Sequence, residues 1–381
     1  MKKKLLSLLL VAAMSATMVA GCGSSDSSNA SDNTDTNNTV ADTESASVTT
    51  KTEDGNAELA LVIDVGTIDD KSFNQGSWEG VEKYGEENGI SYNYYKSAEA
   101  TTDSFQNTIE LAIEGGAKVI VCPGYLFEEP IYNLQDQYPD VKFILIDGEP
   151  HDADYNYATA DNTMAVLYQE DQAGFLAGYA AVKDGYTNLG FMGGMALPAV
   201  IRYGYGYLAG ADYAAKEMDE TVNVTYTYTG SFEATPEAQS MATSWYKAGT
   251  EVIFGCGGSV GNSVMSAAEA SNGKVIGVDV DQSSESDTVI TSAMKMLSNS
   301  VYDAITSAYD GSFPGGKTTT FDITNDGVGI AMDTAKFNNF TQEDYQAIYN
   351  KLVAGDITID NDTEKDVKDL SFTNLNVNVV E

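Results

Sequence analysis

The sequence predicts an α/β protein of two mostly parallel sheets with helices on both faces, and three observations lead there. From residue 57 onward, short apolar runs alternate with longer amphipathic stretches. Each run is followed by Gly, Asp or Pro and then by a helical pattern, the rhythm of strand, crossover helix and next strand. A length of 381 residues with 43% apolar side chains is enough for one large core or two ordinary ones. In chain order, the strands are read from "LALVI" (60–63 and neighbours), "ISYNYY" (90–95), "KVIVC" (118–122) and "KFILID" (142–147). Helices begin between them near Gln75, Asp103 and Glu128. The pattern resumes with "LGFMG" (189–193), "VNVTYTY" (222–228), "EVIFG" (251–255) and "KVIGVD" (274–279), with helices at 170–183, 199–217, 235–247 and 260–271.

One sheet of eight strands or more would satisfy this alternation, but two of about half that size suit the length better. In doubly wound sheets, ligands bind beyond the carboxyl ends of the strands, so the informative residues follow each apolar run. Here those are 64–74, 123–127, 147–149, 193–203, 255–261 and 279–282. They are rich in Gly, Asp, Asn and aromatics, the make-up of a binding cleft and also of ordinary turns. The first of them, DVGTIDDKSFNQGSWEG (64–80), carries more acid, amide and aromatic chemistry than a strand-to-helix connection requires.

The N-terminus speaks to location. Lys2, Lys3 and Lys4 precede an apolar run from Leu5 to Ala20 that is too short for a membrane span. The run ends in "VAGC", which resembles the lipobox of bacterial lipoproteins, so residues 1–21 read as a signal peptide and Cys22 as the lipid-bearing new N-terminus. Residues 22–56 are dominated by Ser, Asn, Asp and Thr and cannot bury enough apolar surface to order themselves, which makes them a tether. With 57 acidic against 20 basic residues, the chain disfavours a nucleic-acid partner. Cys122 and Cys256 read as separate buried thiols.

Two motifs invite chemistry. "GGSVG" (257–261) fits a nucleophile elbow around Ser259, but that triad needs a later His, and the single His of the chain, His151, lies upstream in a loop where it reads as a solvated surface residue. The same glycines suggest a backbone that approaches a ligand closely. There is no Walker sequence, no Cys/His spacing for zinc and no calcium loop, so neither metal nor cofactor is expected.

The segments "LALVIDVGTIDDKSFNQGSWEG", "EDQAGFLAGYAA" (170–181), "GFMGGMALPAVIRYGYGYLAG" (190–210), "AGTEVIFGCGGSVGNSV" (248–264) and "KVIGVDVDQ" (274–282) together resemble the basic membrane protein family of bacterial lipoproteins, roughly over residues 58–310. These are substrate-binding components of ABC transporters whose characterised members bind purine nucleosides. The resemblance implies a type I periplasmic-binding-protein fold, with two Rossmann-like lobes joined by strand crossovers. On that reading residues 57–160 with about 292–320 form the N-terminal lobe, and 161–291 with about 321–381 the C-terminal lobe.

Carried over residue by residue, the resemblance places Phe73 against one face of the purine with Asp70 and Asn74 hydrogen-bonding around it. Asp147 reads ligand edges, Tyr203 stacks on the other face and Gly258 offers backbone. Asp279 takes ribose hydroxyls and Lys295 reaches the sugar. Tyr125, in the loop after 118–122, joins them as a strand-end candidate. Taken singly, Phe73 also reads as a hydrophobic staple and Asp147 as a turn residue. The implied partners are a purine nucleoside, a permease in the membrane, and the membrane itself through Cys22. A sugar or an autoinducer-like small polar solute is the alternative ligand, and a nucleoside-processing enzyme ranks last.

Overall fold

The computed structural model describes residues 55–380. The chain first lays down β1 (Leu59–Ile63), α1 (Phe73–Asn88), β2 (Tyr92–Lys96), α2 (Thr102–Glu114), β3 (Val119–Pro123), α3 (Glu128–Gln135), β4 (Lys142–Ile146) and β5 (Thr163–Tyr168). There follow α4 (Glu170–Lys183), β6 (Asn188–Gly193), α5 (Pro198–Met218), β7 (Val222–Tyr228) and α6 (Pro236–Ala248). Then come β8 (Val252–Cys256), α7 (Val260–Ser271), β9 (Lys274–Asp279) and β10 (Val289–Lys295). The last part holds α8 (Leu297–Asp310), β11 (Lys317–Phe321), β12 (Val328–Ile330), α9 (Gln342–Val353) and β13 (Leu375–Val379).

These strands form two sheets, ordered β11-β5-β4-β3-β1-β2 and β12-β10-β9-β8-β6-β7-β13. Every pairing is parallel except β10 with β12. The central strands β1, β3 and β8 are buried along their whole length, as parallel strands covered on both faces must be. In the first sheet, Ala60, Val62, Ile120 and Cys122 pack under Phe105, Ile109 and Ile131 of α2 and α3. The alternate residues Leu59, Leu61, Val121 and Ile144 meet Trp78 and Val81 of α1 and Val301 and Ile305 of α8. The second sheet is layered alike, with Ile253 and Val275 beneath α6 and α7, and Phe191 and Phe254 beneath α4 and α5.

The helices α4 and α5 approach more closely than side chains normally permit. A Cβ added at Gly174 or Gly178 would lie 2.2 or 2.1 Å from the carbonyl oxygens of Tyr203 and Tyr207, and one at Gly206 or Gly210 would lie 2.0 or 1.9 Å from those of Asp171 and Phe175. Small residues four apart on each helix thus let backbone meet backbone, and the contact fixes where both helix N-termini stand.

The chain passes between the sheets three times, after β5, after β10 and between β11 and β12. The sheet memberships differ from the sequence reading at these passages. Residues 163–168, assigned from sequence to the C-terminal lobe, hydrogen-bond to β4 as β5 of the first sheet. Residues 292–295, assigned to the N-terminal lobe, complete β10 of the second. The final "TNLNVNVVE" contributes β13, a parallel edge strand on β7. Both cysteines are free and buried, as expected. Among the described residues no helix is long and apolar enough to cross a membrane. The signal peptide, Cys22 and most of the tether lie outside the described residues.

Candidate functional site

Two aspartates mark the place where the strand ends of both sheets converge. Asp147 follows β4 of the first sheet and Asp279 ends β9 of the second, and both have left-handed backbone, with φ of 61° and 66°. Aspartate tolerates this region better than most residues, so each strand can stop and turn there without a glycine. The preceding strand in each sheet does use glycine: Gly124 after β3 (φ 110°) and Gly257 after β8 (φ 134°).

Both carboxylates line one cavity of ≈ 80 Å³ between the lobes. The first lobe supplies Phe73 and Asp147; the second supplies Tyr203, Phe232, Asp279 and Lys295, with Ala199, Val200, Cys256, Gly257 and Val278 filling the wall. The Lys295 ammonium, 3% exposed, is hydrogen-bonded to Asp147 Oδ2 and lies 3.0 Å from Glu170 Oε1. It also stands 5.0, 5.1 and 5.7 Å from the ring centres of Phe73, Tyr168 and Tyr203. Glu170, fully buried at the start of α4, is in turn paired with Arg202 Nε. Opposite these, Ser72 Oγ donates to Asp279 Oδ2 at 2.5 Å, tying the start of α1 to the second sheet. Gln282 Nε2 donates to the Lys71 carbonyl at 2.6 Å nearby.

The electrostatics follow from burial and partners. Burial pulls the Lys295 pKa down, but the charges of Asp147, Glu170 and Asp279 outweigh it and hold the group protonated. Burial pushes Asp147 up to about 6, with the nearby Glu170 charge assisting and Lys295 opposing. Asp279 is likewise raised by burial, against the pull of Lys295 and the Ser72 hydrogen bond. Burial also opposes ionisation of Glu170, yet Lys295 and Arg202 together keep it below its ordinary value. Cys256 is raised by burial and stays a thiol. The result is a small, charge-rich chamber that can accept hydrogen bonds at two carboxylates and donate from one ammonium, with aromatic carbon around them.

Of the residues named from sequence, Phe73, Asp147, Tyr203, Asp279 and Lys295 come together on this cavity. Asp70, Asn74, Tyr125 and Gly258 are not among its lining. Asp70 caps α1 instead, accepting backbone N–H bonds from Ser72 (2.8 Å), Asn74 (3.0 Å) and Gln75 (3.1 Å). Burial still pushes its carboxyl up to about 6 against those three donors. Asn74 is buried in the first turn of α1, beside Gly66. Tyr125 opens a single 3₁₀ turn, its phenol raised by burial and by the charges of Asp64 and Glu128. Gly258 lies against the Phe232 backbone, and its neighbour Gly257 reaches the cavity.

Tyr203 is not an open stacking face. Its ring is 2% exposed, meets Phe254 edge-on at 5.8 Å, and aims its hydroxyl at Asp279 Oδ1 (3.5 Å) and the Ala293 carbonyl (3.4 Å). The half-buried aromatic that the second lobe brings to the cavity is Phe232, in the loop after β7. Gly194 and Gly257 make room for it, since a Cβ there would fall 2.4 and 3.0 Å from its ring. The rule that points to the other strand ends applies equally to "VNVTYTY", and the TGSF that follows it carries Phe232. Glu170 and Arg202 gave no local signal, because their pairing is made only by the fold.

His151 is not a solvated residue. It is 9% exposed, with Nε2 3.2 Å from Glu128 Oε2, Nδ1 2.7 Å from the Asp152 carbonyl, and Tyr155 stacked on its ring at 4.6 Å. Those contacts occupy both ring nitrogens and engage His151 away from Ser259.

Comparison with known proteins bears on the family and the fold. The family described as "ABC transporter substrate-binding protein PnrA-like" matches residues 57–363. The ABC transporter nucleoside-binding protein BmpA of Lactococcus lactis is 29% identical over 358 residues, covering 88% of this chain and 93% of its own. Basic membrane protein A of Borreliella afzelii is 30% identical over 81% of this chain and 92% of its own. Among solved structures, an ABC transporter solute-binding protein from Aeropyrum pernix K1 has the same fold, with a TM-score of 0.69 at 22% identity over 79% of this chain and 92% of that one.

Proposed function

This chain belongs to the PnrA-like family of ABC transporter substrate-binding proteins, and from that membership we propose that it is a lipid-anchored receptor that closes on a purine nucleoside and passes it to a membrane permease. Its family is one of solute-binding components rather than enzymes. The observation that carries the ligand class is the cavity wall, where each lobe contributes a phenylalanine, Phe73 and Phe232, beside the carboxylates Asp147 and Asp279 and the Lys295 ammonium. A purine has two large π faces and a polar edge, and a ribose diol adds hydroxyl donors. Base–aromatic stacking contributes about 1–3 kcal/mol per base. Carboxylates accepting N–H or O–H, and an ammonium donating, make the stronger charge-assisted bonds. The name of the Lactococcus relative, nucleoside-binding, supports the same ligand.

The cavity of ≈ 80 Å³ is well below the roughly 300 Å³ at which ligand pockets begin, so a nucleoside enters only when the lobes part. The three passages between the sheets are the hinge. Closing on the ligand then joins the two lobes into the surface that the permease reads. The lipobox Cys22 would hold the receptor on the outer face of the cytoplasmic membrane, within reach of that permease.

Titration calorimetry tests this reading. The soluble body, from about residue 50, is titrated with adenosine, guanosine, inosine, cytidine, ribose and galactose. Saturable purine-nucleoside binding with no turnover is expected. Ribose binding as tightly as adenosine would remove the base from the argument, and release of free base would make the protein an enzyme.

A further inference from the structure

Glu170 takes no part in the nucleoside contacts proposed above, yet it is a fully buried carboxylate at the first position of α4, just after the chain leaves the first sheet. Lys295 is the last residue of β10, just before the chain returns. The two therefore flank two of the three passages between the lobes, and their charges face each other at 3.0 Å. The contact is an ion pair without hydrogen-bond alignment, whereas the ammonium is hydrogen-bonded to Asp147. Glu170 has its own second partner in Arg202, which binds the other carboxylate oxygen, Oε2.

Asp147 uses only Oδ2 in this arrangement, and its Oδ1 is buried without a hydrogen-bond partner among the described residues. A single donor can be taken by the free Oδ1, but a ligand edge that engages both oxygens of Asp147 must displace Lys295 from Oδ2. A buried ammonium released by its only anion would be strongly disfavoured, because desolvated charge then goes uncompensated. Glu170 removes that obstacle, since a second anion is already in place.

We propose that Glu170 is a positioning residue that keeps the Lys295 ammonium paired while Asp147 is given over to the ligand. The exchange needs only a small movement of Nζ, from a hydrogen bond with Asp147 to one with Glu170. Arg202 keeps Glu170 ionised throughout, and the rings of Phe73, Tyr168 and Tyr203 cradle the ammonium in either place. The step joins ligand recognition to the hinge, because Glu170 and Lys295 both stand at chain crossings.

This inference rests on nucleoside binding in the cavity, so its experiment has one arm that uses ligand and one that does not. In the first, adenosine, guanosine and inosine are titrated into wild type, Glu170→Gln, Lys295→Met and the double variant. Glu170→Gln is expected to weaken binding tenfold or more, and to change it less than twofold when Lys295 is already Met. Unchanged binding in Glu170→Gln, or an equal loss in both backgrounds, overturns the proposal, the second outcome marking Glu170 as merely structural. Should wild type bind none of the three, the functional reading fails and the second arm decides the inference alone. There, thermal unfolding without ligand compares Asp147→Asn, Glu170→Gln and their combination. Each single variant leaves the ammonium one carboxylate in direct contact, so the combined loss of midpoint is expected to exceed the sum of the single losses. A double variant that does not fold while both singles do counts as such an excess. Additive losses mean that the two carboxylates do not share Lys295, and the proposal falls. Glu170→Asp, which keeps the charge, is expected to recover part of both effects.

Discussion

The Lys295 ammonium, at the end of a strand in the second sheet, is hydrogen-bonded to the Asp147 carboxylate at the end of a strand in the first. Its removal and the removal of its partner are not equivalent. Lys295→Met leaves Asp147, Glu170 and Asp279 with Arg202 as the cation of the cluster, and breaking such a buried pair costs about 3–5 kcal/mol. Asp147→Asn still leaves the ammonium beside Glu170. Guanidinium unfolding is expected to show the larger loss for Lys295→Met, and equal losses would mean that Glu170 does not share the charge.

Aromatic truncations separate stacking from packing. Phe73→Ala and Phe232→Ala are each expected to weaken purine-nucleoside binding tenfold or more, on the order of the 1–3 kcal/mol that base stacking contributes. Tyr203→Phe keeps the ring against Phe254 and removes only a hydroxyl 3.5 Å from Asp279, so it should change affinity less than threefold. Calorimetry on the three variants checks the order, and a Phe232→Ala protein with wild-type affinity would take that ring out of the site.

Asp171 gives a pH dependence of definite sign. Burial and the adjacent Glu170 charge push its carboxyl up to about 6, against the pull of Arg202. The unfolded chain ionises this group near 3.8, so between about pH 4 and 6 the folded state holds the extra proton. Its contribution is therefore favourable below about pH 4 and is lost as pH rises through 6. Asp171→Asn, which cannot ionise, should match wild type near pH 4 and exceed it above pH 6 by on the order of 1–3 kcal/mol. Urea midpoints across that range measure it, and a difference that stays flat with pH would assign the effect to packing.

Ligand binding should respond to pH through the carboxylate on the cavity wall. Asp147, held near 6 chiefly by burial, accepts hydrogen bonds best when ionised. Affinity for a nucleoside is expected to fall as pH drops below about 6, and Asp147→Asn should flatten that profile. A profile unchanged in the variant would point to Asp279.

The backbone contact between α4 and α5 offers a mechanical test. Gly210→Ala places a methyl 1.9 Å from the Phe175 carbonyl oxygen, which the helices can relieve only by moving apart. Overpacking of this kind costs about 1–3 kcal/mol. Because α4 begins at Glu170 and α5 carries Arg202 and Tyr203, affinity should fall together with the unfolding midpoint. Lost stability with intact affinity would show that the helix starts keep their places by other contacts.

Much of this architecture was legible in the sequence because parallel strands buried on both faces are written as uninterrupted apolar runs, as in "LALVI" and "EVIFG". The strands that escaped notice were of another kind. β11, "KTTTF", is a partly exposed edge strand, β12 has three residues, β5 follows a long loop instead of a helix, and β10, "VITSAMK", is a buried strand interrupted by Thr291, Ser292 and Lys295. At the cavity, Asp147 and Asp279 could be found because strand ends are marked by chain position. Asp70 shows the limit of that rule, since a helix start also wants an acid and the N–H groups of Ser72, Asn74 and Gln75 took it. The partners of Lys295 were invisible for a different reason: Asp147 and Glu170 lie 148 and 125 positions away, and nothing local ties an acid to so distant an amine.

Within the two sheets the strands β2-β1-β3-β4-β5 and β7-β6-β8-β9-β10 stand in one and the same order, with a left-handed glycine after the third strand of the chain and a left-handed aspartate after the fourth in each case. The receptor is thus one half-molecule written twice, and Asp147 answers Asp279 across the cleft. A mouth with identical jaws would hold its guest equally well in either direction. The fifth strand breaks the tie, ending in Tyr168 on one side and in Lys295 on the other. With only Lys295 of that pair reaching the cavity wall, and with Tyr203 and Phe232 facing a lone Phe73, the cleft has a head and a tail, and so a reason for an asymmetric solute to lie only one way round.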